Sequence, residues 1–280
     1  MIKAFTYGLK KGVQHWRTAL IGYVFQLLLA ITLGMQIYQV FEAAIGSSLE
    51  LNKLMDGYND AVISDFLNIH GASLFPLLGQ LRYVVLVFLI FSIFINAGLL
   101  NALVKNVPGW NSFWEGGKTY FFRFIPVTLF FVILAASWSA VSIVPYIGYM
   151  QPSIEDFDSE KTTVFLFFVV LFIWLLGIIY LFNSSVITRI KIIKENSKVW
   201  QGIKTGLRIS LRRFIPLTTV FILFVLLQLI LIVVYWLAEG SSGMVSPLLI
   251  FSFFIFQQLM VLMRWMFRVA MYGGVEKLSD

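Results

Sequence analysis

The stretch Val199-Trp-Gln-Gly-Ile-Lys-Thr-Gly-Leu-Arg-Ile-Ser-Leu-Arg-Arg-Phe-Ile-Pro-Leu-Thr-Thr-Val-Phe221 joins a basic amphipathic helix to the start of a long apolar run. Val199, Ile203, Leu207, Leu211 and Phe214 recur at helical spacing on one face, and Lys204, Arg208 and Arg212 recur every four residues on another. That is the pattern of a helix lying at a lipid headgroup boundary. Pro216 has no backbone N–H and suits the first turn of a helix, and it disfavours helical geometry at Ile215. The sequence therefore predicts an elbow: an interfacial helix that ends before Pro216, then a helix that enters the bilayer.

Composition agrees. Of the 280 residues, 59% are hydrophobic and only 12% charged, against about a quarter charged in soluble domains, and the mean hydropathy is +0.87. Aromatic residues make up 17%, with 28 Phe and 8 Trp, a usage that suits lipid-facing surfaces and interfacial belts. The net charge of +7 is carried beside apolar runs, where anionic lipid is the nearer partner, so nucleic-acid binding is not expected. The absence of cysteine rules out disulfides, thiolate metal sites and cysteine nucleophiles.

Working outward, residues 2–17 form a first basic interfacial segment, and a retained first span is expected from about Thr18 to Phe41. A polar stretch from Glu42 to Gln80 follows. Ser47 and Glu50 have capping-box spacing there, Ile63, Phe66 and Leu67 mark a second short helix, and Gly71 and Pro76 punctuate the return. Further spans are expected at about 81–104, 124–146, 163–188, 214–238 and 247–264. At 1.5 Å rise per residue, spans of about 22 to 26 residues reach about 33 to 39 Å, enough to cross with some tilt.

Placing both termini in the cytoplasm puts every Lys and Arg on that side except Lys53, Arg82 and Lys161. The opposite face collects Glu42, Glu50, Asp56, Asp60, Asp65, the run from Glu155 to Glu160, and Glu239. This is a strong positive-inside signal.

An internal repeat is also visible. Trp114-Glu-Gly-Gly-Lys-Thr119 matches Trp200-Gln-Gly-Ile-Lys-Thr205, and Arg123-Phe-Ile-Pro126 matches Arg213-Phe-Ile-Pro216, with four extra residues between the halves of the later copy. Trp114, Pro126, Trp200 and Pro216 mark the two bends. Trp16-Arg17 gives a third, fainter copy without a proline, which leaves open whether that elbow runs straight into the first span. The expected fold is all-α, a single polytopic membrane domain over 1–280. Its six transmembrane helices form three repeated hairpins, at about 1–109, 110–195 and 196–280, each preceded by a cytoplasmic elbow helix. The first hairpin carries an extracytoplasmic helical loop at about 43–80.

Ionisable residues at bilayer depth usually mark function, and the expected spans contain almost none. Arg82, Arg264 and Arg268 are placed at span ends, where long side chains snorkel to headgroups. Asn96, Asn101, Asn183, Gln228 and Gln257 are neutral polar residues inside spans; interhelical hydrogen bonding, worth about 0.6 to 2 kcal/mol, accounts for them without a polar pathway. No His-Glu-x-x-His, Gly-x-Ser-x-Gly or phosphate-cradling glycine loop occurs, so neither catalysis nor a cofactor is expected. The run Glu155 to Glu160 lacks an EF-hand pattern and reads as a solvated turn.

The span ending in Asn96-Ala-Gly98, the short basic link, Phe113-Trp114 and the amphipathic run into Phe124-Ile-Pro126 together resemble the membrane domain attached to some bacterial glycerophosphodiester phosphodiesterases, and its stand-alone relatives. Val199-Trp200 through Arg213-Phe-Ile-Pro216 is similar. The resemblance implies a bacterial inner-membrane protein of about six spans; the catalytic barrel of those enzymes has no counterpart here. Two function classes follow. One is a non-enzymatic membrane protein whose Lys118, Arg123, Lys204, Arg208, Arg212 and Arg213 meet anionic lipid or a partner's acidic face. The other is a permease subunit powered by a separate ATPase, its short basic helices coupling to that motor.

Overall fold

The computed structural model describes residues 1–45, 60–150, 160–242 and 246–279. The described residues form eight helices: α1 (Ile2–Gln14), α2 (Trp16–Ile45), α3 (Asp60–Val104), α4 (Trp110–Met150), α5 (Glu160–Glu195), α6 (Val199–Arg212), α7 (Phe214–Ser242) and α8 (Pro247–Ser279). Six of them are long and apolar enough to cross a membrane, as expected: α2, α3, α4, α5, α7 and α8. The expected capping box at Ser47 and most of the acidic run lie outside the described residues.

The break before the last bend falls at Arg213, where the backbone leaves helical geometry (φ −113°, ψ 32°). Ile215 and Pro216 both sit in the first turn of α7. Proline is tolerated there because the first N–H groups of a helix have no intrahelical acceptor. Three other expectations are corrected and one open point is resolved. Pro126 does not end a helix: α4 runs through it and through Pro145. The proline-free first bend does break, at His15 (φ −99°, ψ 25°). Proline thus does not choose where these bends fall. Nor do Gly71 and Pro76 interrupt the chain, because α3 is continuous through both. Finally, α8 continues 15 residues past Arg264, from Trp265 to Ser279.

The chain divides into two compact units, one formed by Met1–Leu20 with Ile93–Asp280 and the other by Ile21–Ser92. In the smaller unit Phe25 stacks on Phe91, ring centroids 4.7 Å apart, and Arg82 lies over the Tyr83 ring and donates to its hydroxyl at 3.1 Å.

In the larger unit, small residues let helices touch backbone to backbone. Gly8 and Gly12 of α1 lie against Ala270 and Gly274 of α8; a Cβ on Gly12 would fall 2.8 Å from the Ala270 Cβ and 2.9 Å from the Met266 carbonyl oxygen. Gly202 and Gly206 seat α6 on α5, a Cβ on Gly206 falling 2.9 Å from the Ser184 carbonyl oxygen. Gly98 and Gly116 do the same between α3 and the first turns of α4, against Phe113 and Asn101. Close approach through small residues is how helices associate where lipid removes the hydrophobic drive.

Cations then cap helix ends. Lys11 is buried and donates to the Asn106 side chain at 2.7 Å and to the Leu103 carbonyl at 3.4 Å, at the end of α3. Arg123 donates to the Asn196 side chain at 2.6 Å, just past α5. Arg213 donates to the Leu278 carbonyl in the last turn of α8. Asn106 (φ 55°) and Asn196 (φ 46°) take the left-handed conformation that terminates helices, which asparagine tolerates better than most residues. A positive charge at each C-terminus also complements the helix dipole.

Away from these contacts the long helices are bare. Phe165, Phe168 and Phe172 on α5 and Ile230 and Trp236 on α7 are each 60% exposed or more. So much apolar surface is suited to hydrocarbon, not water.

Candidate functional site

Two cationic features stand out in the larger unit, one on its surface and one between its helices. On α6 the buried face carries Gly202, Ile203, Gly206 and Ser210, which leaves Lys204, Arg208 and Arg212 exposed on the other side at four-residue spacing. None of the three pairs with a carboxylate among the described residues. Lys118 on α4 is exposed as well. Arg123 and Arg213, expected in the same group, are instead engaged by the helix ends they cap. Of the bend residues, Trp114 packs on Phe94 (5.5 Å) and Trp200 edge-on against Phe130 (5.9 Å), both remaining about half exposed.

The second feature lies where α3, α4, α5 and α8 converge. Arg268 donates through Nη2 to the Asn96 Oδ1 at 3.3 Å and through Nε to the Tyr272 hydroxyl at 3.1 Å. That hydroxyl donates in turn to the Asn96 Oδ1 at 3.1 Å. Arg189 donates through Nη2 to the Thr128 hydroxyl at 3.0 Å and lies over the Phe124 ring, while its Nε is enclosed without a partner. The helices that carry the two arginines, α5 and α8, pack against each other. Arg268 also lies over the Trp265 ring, 5.0 Å from its centroid. No ion pair links either arginine to a carboxylate among the described residues.

The sequence places Arg189 in a connection and Arg268 at a span end because hydropathy windows stop where charge begins. The structure carries α5 on to Glu195 and α8 on to Ser279, which brings both side chains between helices. A usable signal was present: Ala270, Gly273 and Gly274, one helical turn apart beyond Arg268, mark a packed helix and not a frayed end.

The other expected polar residues divide. Asn96 joins the arginine cluster. Asn101 donates to the Ser112 carbonyl at 2.8 Å, tying α3 to the start of α4. Asn183 is buried with neither side-chain atom hydrogen-bonded. Gln228 and Gln257 line a cavity of about 350 Å³ between α7 and α8 with Tyr235 and Arg264, and Gln257 donates to the Tyr235 hydroxyl at 3.2 Å. A larger cleft, about 620 Å³, lies along α4 and α5 beside Trp138, Gly177, Tyr180 and Phe214 and is almost wholly apolar. Among the described residues no group of three metal-ligating side chains occurs.

In comparisons with known proteins, no family model, no curated protein and no solved structure matches the chain. What the molecule can do therefore has to be read from the two cationic features themselves.

Proposed function

We propose that the chain is a non-enzymatic integral protein of a bacterial inner membrane, with cytoplasmic termini, that binds anionic lipid at the cytoplasmic face through the outer side of α6. The exposed, unpaired row Lys204, Arg208 and Arg212, opposite a small-residue face buried on α5, carries this reading. Each such cation near an anionic surface contributes about 1 kcal/mol. The charge asymmetry of the sequence supports the orientation.

We read the architecture as three repeated hairpins, the first and third opened by a separate short helix and the second by the N-terminal turns of α4, and the contacts support a tighter register than the tryptophan match alone. Asn106 and Asn196, Trp110 and Trp200, Gly116 and Gly206, Arg123 and Arg213, and Pro126 and Pro216 are each 90 positions apart, with no insertion. In the first copy Ala4, Gly8 and Gly12 correspond to Ser112, Gly116 and Tyr120 and to Gly202, Gly206 and Ser210, all buried. The likeness to the phosphodiesterase membrane domain fits this arrangement.

The test is retention of lipid. Protein in nanodiscs of mixed zwitterionic and anionic phospholipid, re-extracted and examined by native mass spectrometry, is expected to carry anionic lipid in excess of its share. The K204Q/R208Q/R212Q variant should lose most of that excess. An unchanged lipid profile would overturn the assignment of α6, and a stoichiometric ATPase retained from the native membrane would favour the permease-subunit reading, with α6 as its coupling helix.

A further inference from the structure

We infer that Arg189 and Arg268 form a binding site for one phosphate group, held between α3, α4, α5 and α8 and separate from the outer face of α6. Arg189 and Arg268 stand half-buried on two helices that pack together, and drawing such like charges out of water between helices is costly unless the charge is matched. Among the described residues the partners are all neutral: the Asn96 carbonyl oxygen and the Tyr272 and Thr128 hydroxyls. One strong donor, the Arg189 Nε, has none. A snorkelling arginine would not need this, since its head would lie in water. What completes the site is an anion with several oxygens that accepts from two planar forks at once, and phosphate has that geometry.

The surroundings favour a bound group over a passing ion. Phe124 and Trp265 lie over the two guanidiniums, which leaves the N–H groups not used by Asn96, Tyr272 and Thr128 to point at a ligand. Tyr272 is buried and its hydroxyl is oriented by Asn96, so one edge of Arg268 is already fixed. Depth agrees with a headgroup: Arg189 is six residues from the end of α5 at Glu195, about 9 Å at 1.5 Å rise per residue. Both a lipid phosphodiester entering from the leaflet and a free phosphate arriving from water meet the same chemistry.

The experiment uses the full chain purified in zwitterionic detergent. Binding of inorganic phosphate is measured by titration calorimetry, and retention of phosphatidylglycerol by native mass spectrometry, for the wild type, R189Q, R268Q and the α6 triple variant. The expected result is one phosphate group per chain, weakened about 10-fold or more in R189Q and in R268Q, as loss of a charged hydrogen bond implies, and unchanged in the triple variant. Retention of the lipid alone assigns the site to a headgroup, and saturable binding of inorganic phosphate alone assigns it to a soluble phosphate. If the glutamine variants do not yield folded protein, R189K and R268K keep the charge but not the fork, and the same weakening is expected. The site is overturned if the wild type binds neither probe, or if folded arginine variants bind as the wild type does.

Discussion

His15 closes α1 and is 1% exposed, with neither ring nitrogen hydrogen-bonded. Burial and the neighbouring Lys11 charge push its pKa down to about 4, partly opposed by the Asn106 side chain. The folded state therefore prefers the neutral ring. Its contribution to stability is complete above pH 6.5, the ordinary histidine value, and is lost as pH falls through 6.5 towards 4. Thermal unfolding in detergent should show Tm falling across that window, and H15Q should flatten the fall. Two glycines give a second residue-scale prediction. A Cβ at Gly8 would collide with the Ala270 carbonyl, while one at Gly34 meets nothing within 4 Å. G8A should destabilise by about 1 to 3 kcal/mol through overpacking; G34A should be neutral, or stabilise by up to about 1 kcal/mol through helix propensity. Chemical unfolding monitored by circular dichroism compares the two.

At the scale of elements, three cations hold three helix ends, and their surroundings rank them. Lys11 is buried and has two acceptors, whereas Arg123 and Arg213 are exposed and donate across the surface. K11M should cost about 1 to 3 kcal/mol because it leaves buried acceptors unpaired. R123M and R213M should each cost about 1 kcal/mol or less. Hydrogen exchange should locate the effects in the last turns of α3, α5 and α8 respectively; an equal loss of protection spread over all helices would contradict local capping. The bends carry a related lesson. The repeated Phe-Ile-Pro triplet has different outcomes in its two copies: α4 runs on through Pro126, whereas Pro216 stands in the first turn of α7 just after the break at Arg213. The breaks at His15 and Arg213 instead follow the small-residue stripes that seat α1 and α6 on their neighbours.

For the whole molecule, six crossings require the connections on the two faces to label from opposite sides. The chain has no cysteine, so single substitutions give no background. V107C and K198C, between α3 and α4 and between α5 and α6, should react with an impermeant maleimide from one side of intact vesicles, and S246C, before α8, from the other. Labelling of all three from one side would refute the crossing number. The existence and apolar character of the six long helices were legible in the sequence, since hydrocarbon thickness and the absence of water impose length and composition on any segment that crosses. So was the row Lys204, Arg208 and Arg212, because a 3.6-residue period shows which side chains share a face. The meeting of Arg268 with Asn96, like that of Arg189 with Thr128, was decided only by tertiary structure. It joins residues 172 apart in the chain, and it depends on α5 and α8 continuing beyond the apolar run, held there by the packing of small residues against partner helices that no local pattern specifies.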